Sequence, residues 1–394
     1  MRVDVEISSS EIERNASLLA TAAQVGNAGA DLGLDALFGR PDQRTVGQAL
    51  RRLGQLWFVS LPIASLAQGR AHDFGHIARG HEIGVVTESI EILQWPWPIP
   101  IAQSAERAGG MVTDYERLAI FGGGEQGSHV QQELLLDRIY SRDHANYFDW
   151  VLFAYAQLDA PVYAWWDLRR DRLTNEAIDI ATSPDFDGDR RSILGDYGQY
   201  AISMTVIGAN EYSDAGVIRR YADGLRRAVW MNVLDFSLWA GVVRTADYVI
   251  TGDRNAPVPV LKVGGLAFVP GAYASLSSDG PEKGVRVRMV TPRFLPHVEV
   301  RWIDTVSSRR LWGVGAGLRT RSTARLGPEI RTDLWQRDGR GAGFRLEAGA
   351  RGQLTIGKAP LEASFRLGYK TEGYLSDAPR KAGPLASLGV GMRF

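Results

Sequence analysis

Three of the chain's six histidines fall within ten residues, in the run His72-Asp73-Phe74-Gly75-His76-Ile77-Ala78-Arg79-Gly80-His81-Glu82. On a helix, two histidines four apart project from one face a turn apart, so the ring nitrogens of His72 and His76 can converge on one metal ion. Zinc enzymes commonly take three protein ligands and keep a fourth position for water. A later helical stretch, Glu133-Leu134-Leu135-Leu136-Asp137, puts two carboxylates on one face. Glu133 is the candidate third ligand. Asp137 is the candidate acceptor for the far nitrogen of a ligating imidazole, which would fix its tautomer. Glu125 and His129 lie on the same stretch and are alternative ligands, whereas His81 reads as a supporting residue. The bland alternative makes His72, His76 and Glu133 ordinary polar residues of solvated helices.

This arrangement resembles the M48 family of zinc metallopeptidases. That family shows His-Glu-x-x-His, often with a further His five residues on, followed some tens of residues later by Glu-x-x-x-Asp. Here His81 stands five residues after His76, and Glu133 stands 57 after it. The resemblance implies His72, His76 and Glu133 as zinc ligands, Asp73 as general base, Asp137 and His81 as supporting residues, and a protein or peptide substrate. It covers roughly residues 55 to 140 and does not reach the C-terminal third. It departs from the family at Asp73, one methylene shorter than the family's Glu; a base displaced by ~1 Å costs on the order of 100-fold in rate. The family's later histidine has no counterpart in a matching context, and His144 is merely available.

The elements that would hold these residues read as helices from about residue 8 to 250. Ser8-Ser9-Ser10-Glu11 offers a helix start, and Thr45–Gly84 is a longer helical pattern interrupted near Pro62. Trp95-Pro96-Trp97-Pro98-Ile99-Pro100 cannot be helical. Gly122-Gly123-Gly124 is expected to precede a helix over about Ser128–Tyr140, and it lacks the Lys and Ser/Thr of a phosphate loop. Two aromatic helical segments follow, Tyr147–Leu168 and Arg219–Ile250. In the second, Val229, Val233, Phe236 and Ala240 recur as a buried face. Tyr163, Trp165 and Trp166 read as core or membrane-interface packing. The acidic turn Asp185-Phe186-Asp187-Gly188-Asp189 alternates carboxylates but lacks the closing Glu of a calcium loop.

Beyond the turn-rich linker Thr251-Gly252-Asp253-Arg254-Asn255-Ala256-Pro257 the period becomes two. Val285, Val287 and Met289 alternate with Arg286 and Arg288; Val298, Val300 and Trp302 alternate with Glu299 and Arg301. Phe344, Leu346 and Ala348 alternate with Arg345 and Glu347, and Leu361, Phe365, Leu367 and Tyr369 with Glu362, Arg366 and Lys370. About eight such strands fit the remaining length. The last, Ala386-x-Leu388-x-Val390-x-Met392-x-Phe394, resembles the C-terminal assembly signal of bacterial outer-membrane β-barrels. A filled barrel with Arg and Glu inward is one expectation, and a soluble sheet with one wet face is the other. The fold class is therefore α+β, with a mainly helical domain over 1–250 and an antiparallel β-barrel or sheet over 251–394.

Composition narrows the function. Lys+Arg and Asp+Glu both number 45, so no net field draws in nucleic acid. With no cysteine there is no disulfide, thiolate ligand or thiol nucleophile. No signal peptide is visible at the N-terminus, and no apolar run reaches the ~20 residues of a spanning helix. Three functions are compatible: a zinc metallopeptidase-like hydrolase of the bacterial outer membrane or periplasm, a non-catalytic outer-membrane barrel with a helical periplasmic binding domain, and a metal-dependent lipid or amide hydrolase.

Overall fold

The change of period near residue 251 is a change of structure. The computed structural model describes residues 2–39, 44–87, 105–107, 113–169, 171–182, 194–209, 214–305, 309–321, 325–337, 341–356 and 359–393. The Pro-rich stretch at 95–100, the acidic turn at 185–189 and Phe394 lie outside them. The chain opens with strand β1 (Arg2–Ser8) and continues through α1 (Glu11–Phe38), α2 (Val46–Gln55), a π-helical turn (Leu56–Ser60) and α3 (Leu61–Glu82). Short strands β2 (Val85–Thr87) and β3 (Ala105–Arg107) precede α4 (Asp114–Tyr140) and β4 (His144–Asn146). Then come α5 (Tyr147–Asp167), α6 (Asn175–Thr182), α7 (Asp196–Ala209), α8 (Ala215–Ala228), a 3-10 turn (Val229–Leu234) and α9 (Phe236–Thr251). The remainder is β5 (Asn255–Pro257), β6 (Leu261–Val263), β7 (Leu266–Leu276), β8 (Pro281–Val290), β9 (Phe294–Asp304), β10 (Arg310–Thr320), β11 (Leu326–Arg337), β12 (Gly341–Ile356), β13 (Ala359–Lys370) and β14 (Gly383–Arg393).

The α+β class holds, and the sheet is open rather than a closed barrel. Ten strands run in the order β1-β14-β13-β12-β11-β10-β9-β8-β7-β6, every pairing antiparallel. Strand pairing links the two sides of residue 251 twice, through β1 with β14 and through β4 with β5. β1, from the extreme N-terminus, pairs with β14 at one edge (Val5 opposite Val390). Ser10 then caps α1, its hydroxyl accepting from the Glu13 amide.

Helix details follow from single residues. Pro62 has no amide hydrogen to give to a carbonyl four residues back, and the turn before it widens to a π form closed by Leu61 N–H to Leu56 C=O. The triple glycine does not interrupt α4, which starts at Asp114 with a Thr113/Glu116 capping box and runs straight through Gly122–Gly124. Those glycines serve packing. A Cβ on Gly123 would overlap the Gly75 carbonyl of α3, and one on Gly127 would overlap that of Ala71. Small residues at this spacing let two helix backbones touch, which a sequence reading of glycine as a breaker does not anticipate.

Three apolar clusters fill the helical part, one around Trp150, Phe153, Tyr140 and Leu136, one around Tyr197, Tyr200, Leu168 and Ile218, and a smaller one of Ile12, Ala16, Ala78, Val130 and Leu134. The sheet is inverted relative to a soluble one. Arg286, Arg288, Arg301, Glu329, Asp333, Arg345, Arg351 and Glu362 are buried, Arg286 and Arg288 against Glu133 of α4 and the others largely paired with one another, while Val285, Val287, Val298, Val300, Leu334, Phe344, Leu367 and Leu388 are exposed.

Candidate metal centre

Close contact between α3 and α4 builds the floor of the site. Gly124 lies directly under the imidazoles of His72 and His76, where a Cβ would overlap Nε2 of both rings. The rings meet edge to face with centroids 4.9 Å apart. His76 Nδ1 is 2.6 Å from the Ile120 carbonyl oxygen, an atom that only accepts, so the ring donates there. His72 Nδ1 is 2.8 Å from Asp159 Oδ2 of α5, which also accepts from Ser128 Oγ at 2.6 Å. In the neutral ring each histidine therefore presents a bare Nε2 lone pair, the tautomer being assigned from these partners.

Both lone pairs face one carboxylate. Asp196 Oδ2 lies 3.2 Å from His72 Nε2 and 3.1 Å from His76 Nε2. Asp196 opens α7, and its position is set by neighbours. The Asp167 carboxylate accepts from the amides of Gly195 and Gly198, each at 2.8 Å, and the Tyr163 hydroxyl donates to Asp196 Oδ2 at 3.0 Å. Three acceptor atoms so close together require a cation between them, either a proton on each ring or a metal ion. Tetrahedral coordination at ~2.0–2.1 Å sets donor atoms about 3.3 Å apart, close to the two distances from Asp196 Oδ2 to the ring nitrogens.

Electrostatics point the same way. Burial opposes charge on His72, but the carboxylates of Asp159 and Asp196 overcome it and hold its pKa well above the ordinary histidine value. Burial alone would raise Asp196; the two imidazoles instead hold it well below the usual carboxylate range. Glu125 of α4 shares a second grouping with His72 and Asp159, their ligand atoms lying within 4.8 Å of one another. Burial, then repulsion by Asp159, pushes the Glu125 carboxyl well above its usual value, and its Oε1 has no hydrogen-bond partner among the described residues.

The expected ligand set is thus only partly assembled. His72 and His76 converge, but Glu133 does not join them; it turns to the sheet and pairs with the guanidinium groups of Arg286 and Arg288. Asp137, one turn on, pairs with Arg319 and Arg288 rather than with an imidazole. Two guanidinium groups held against one carboxylate outcompete a distant metal for its lone pairs. Asp73 is buried beside the site and ion-paired to Arg70 at 3.1 Å; burial raises its pKa against the pull of His72, His76 and Arg70. His81, exposed at the far end of α3, pairs with Glu11 at 3.1 Å. His129 stacks on Tyr273 at 4.2 Å, and His144 is exposed in β4.

Asp196 was not legible by spacing, since nothing near it in the chain repeats a ligand pattern. Asp159 left a signal: with Gln157 it is one of two polar residues in the otherwise apolar and aromatic run Val151–Trp166. A carboxylate in such a run must find a partner when buried. No family model, no curated protein and no solved structure matches this chain. The geometry is therefore what any reading of the site rests on.

Proposed function

We propose that the chain is a zinc-dependent, metallopeptidase-like hydrolase of the bacterial envelope, with His72 Nε2, His76 Nε2 and Asp196 Oδ2 as the metal ligands. The observation that carries the reading is one carboxylate oxygen, Asp196 Oδ2, at 3.2 and 3.1 Å from the Nε2 lone pairs of His72 and His76, with no donor between it and either neutral ring. Zinc bound there supplies Lewis acidity to a substrate carbonyl and to an attacking water. The protein's own groups do the rest. Asp159 orients His72 and strengthens it as a donor, and the Ile120 carbonyl does the same for His76. Glu125, a buried carboxyl pushed well above its usual value by burial and by Asp159, lies within 4.8 Å of the His72 and Asp159 ligand atoms and would serve as the proton donor to a departing amine. Asp73, the position of the family's base, is shorter and held by Arg70. Proton handling is therefore assigned to Glu125, with Asp73 as the alternative.

A peptide is the substrate class that the M48-like motif supports; a lipid or amide substrate would use the same ligands. The envelope location is supported by the exposed apolar face of the sheet and by the resemblance of β14 to an assembly signal. A second reading has its own support. His72 lies between two carboxylates, an arrangement that also suits a buried imidazolium tying α3, α5 and α7 together in a non-catalytic membrane protein.

Elemental analysis of the purified chain separates the two. One zinc per chain, lost in His72→Ala and Asp196→Asn and kept in Glu133→Ala, is the expected result, followed by cleavage of a fluorogenic peptide library that Glu125→Gln abolishes. A wild-type chain free of metal after purification in zinc-supplemented buffer would leave the imidazolium reading.

A further inference from the structure

The inversion of polarity seen in the sheet extends to three helices. In α1, every exposed position from Leu18 to Phe38 is Leu, Ala, Val, Gly or Phe: Leu18, Ala22, Val25, Gly26, Gly29, Leu32, Gly33, Ala36, Leu37 and Phe38. Its inward stripe is polar instead. Glu13, Ser17, Thr21, Gln24, Asn27 and Asp31 are buried and partnered, for example Glu13 with Arg366, Gln24 with Asp149, and Ser17 and Thr21 with Arg138. The exposed positions of α9 from Trp239 to Ile250 are likewise Trp239, Val242, Val243, Ala246 and Ile250. Along α2 and the π turn, Leu50, Leu53, Trp57 and Phe58 face out while Arg52, Gln55 and Ser60 face in.

These helices stand where the sheet is open. α1 follows and packs on edge strand β1, and α9 packs on β7 near the other edge. α2 joins them. Arg51 donates to the carbonyls of Leu34, Phe38 and Gly39 at the end of α1, and Arg52 to those of Val249 and Ile250 at the end of α9. Exposed apolar side chains are thus carried both by the sheet and by the helices that pack at its two edges.

We infer that this whole belt faces lipid acyl chains, so that α1, α2 and α9 complete the wall of a membrane-embedded body and do not form part of a domain projecting into water. The inference deepens the envelope location proposed above and is independent of the metal. Its dimensions fit. From Leu18 to Phe38 a helix rises ~30 Å, about the hydrocarbon thickness of a bilayer. β9 and β10 have 11 residues each and β11 has 12, enough for tilted strands to span the same depth. Aromatic side chains gather at one end of the sheet, Trp302 beside Trp312 at 5.8 Å and Phe344 beside Tyr369 at 6.3 Å, as at a lipid–water boundary. No described helix is long and apolar enough to cross a membrane alone. A helix walled by protein on its inner side needs only an apolar outer side, and the polar inner stripe lowers its mean hydropathy.

The absence of cysteine makes the test direct. Single cysteines at Val25 or Leu32 of α1, Val243 of α9 and Val298 of β9 are labelled with bimane, and the full chain is reconstituted in phosphatidylcholine vesicles carrying brominated acyl chains. Quenching at the three helix positions as strong as at Val298 is the expected result. Quenching at Val298 alone would overturn the inference and leave a membrane sheet with a water-exposed helical domain. Quenching at none would overturn the envelope location as well. Inter-chain disulfide formation in unlabelled Leu32→Cys treated with a mild oxidant, together with no quenching of the labelled variant, would assign the helical face to a second copy instead, which also overturns it.

Discussion

The protein contains two buried clusters of ionisable side chains, less than three helical turns apart along α4, and they are built on opposite principles. Between helices and sheet, each carboxylate described above is matched by guanidinium groups: Glu133 by Arg286 and Arg288, Asp137 by Arg319, Asp333 by Arg345 and Arg301. Among α3, α4, α5 and α7, two imidazoles meet Asp159, Asp196 and Glu125, and among the described residues no guanidinium is bonded to those three carboxylates. In the first cluster each of these carboxylates has a guanidinium partner. The second has acceptors to spare. Proximity to a histidine motif in sequence therefore says little about ligation; what decides it is whether a carboxylate's lone pairs are already taken by a cation.

The largest expected effect breaks the comparison outright if it fails. Asp196→Asn should reduce bound zinc from one per chain to none, while Glu133→Ala keeps it; the reverse pattern would restore Glu133 as the ligand. Next in size, Glu133→Ala should destabilise the fold by about 2 kcal/mol, less than the cost of breaking a fully buried ion pair because the Glu133 side chain is 27% exposed. It leaves Arg288, 4% exposed, with Asp137 as its nearest charge partner. Denaturant unfolding in detergent, read by tryptophan fluorescence, measures it, and an unchanged midpoint would show the charge layer to be incidental.

Asp159→Asn tests how the site is tuned. Loss of a carboxylate behind a ligating histidine costs about 10–100-fold in metal affinity, so competition with a chelator should show zinc bound more weakly but still in one equivalent. Gly127→Ala should cost about 1–3 kcal/mol through overpacking of α3 against α4. Its thermal melt would be lower with zinc and without it. The smallest effect is in pH. Because the folded pKa of His72 is raised, its contribution to the metal-free protein is full below the unfolded value of ~6.5 and is lost as pH rises through the folded value. Asp196, held low, keeps its contribution across that window. Chelator-treated protein should therefore lose melting temperature from neutral to alkaline pH, and zinc, replacing the proton, should restore it. A chelator-treated melt that is flat with pH would remove the imidazolium from the account.

Local pattern carried a good part of this protein. The alternation of Val and Arg over 285–289 and of Phe, Leu, Arg and Glu over 344–348 identified strands, because a period of two is a property of the strand itself. His72 and His76 were legible as a pair, because four residues is one helical turn. β1 was not read, since seven residues of alternation at a terminus mean little until β14 is there to pair with them. The triple glycine looks like a break in sequence because glycine's backbone freedom is local, whereas its missing Cβ matters only against a partner helix. Which carboxylates stand beside the imidazoles was decided at distances of 87 residues for Asp159 and 120 or more for Asp196. No spacing rule reaches that far: only the packing of α5 and α7 on the α3–α4 pair brings those oxygens within hydrogen-bond reach, and only the sheet's arginines take Glu133 away.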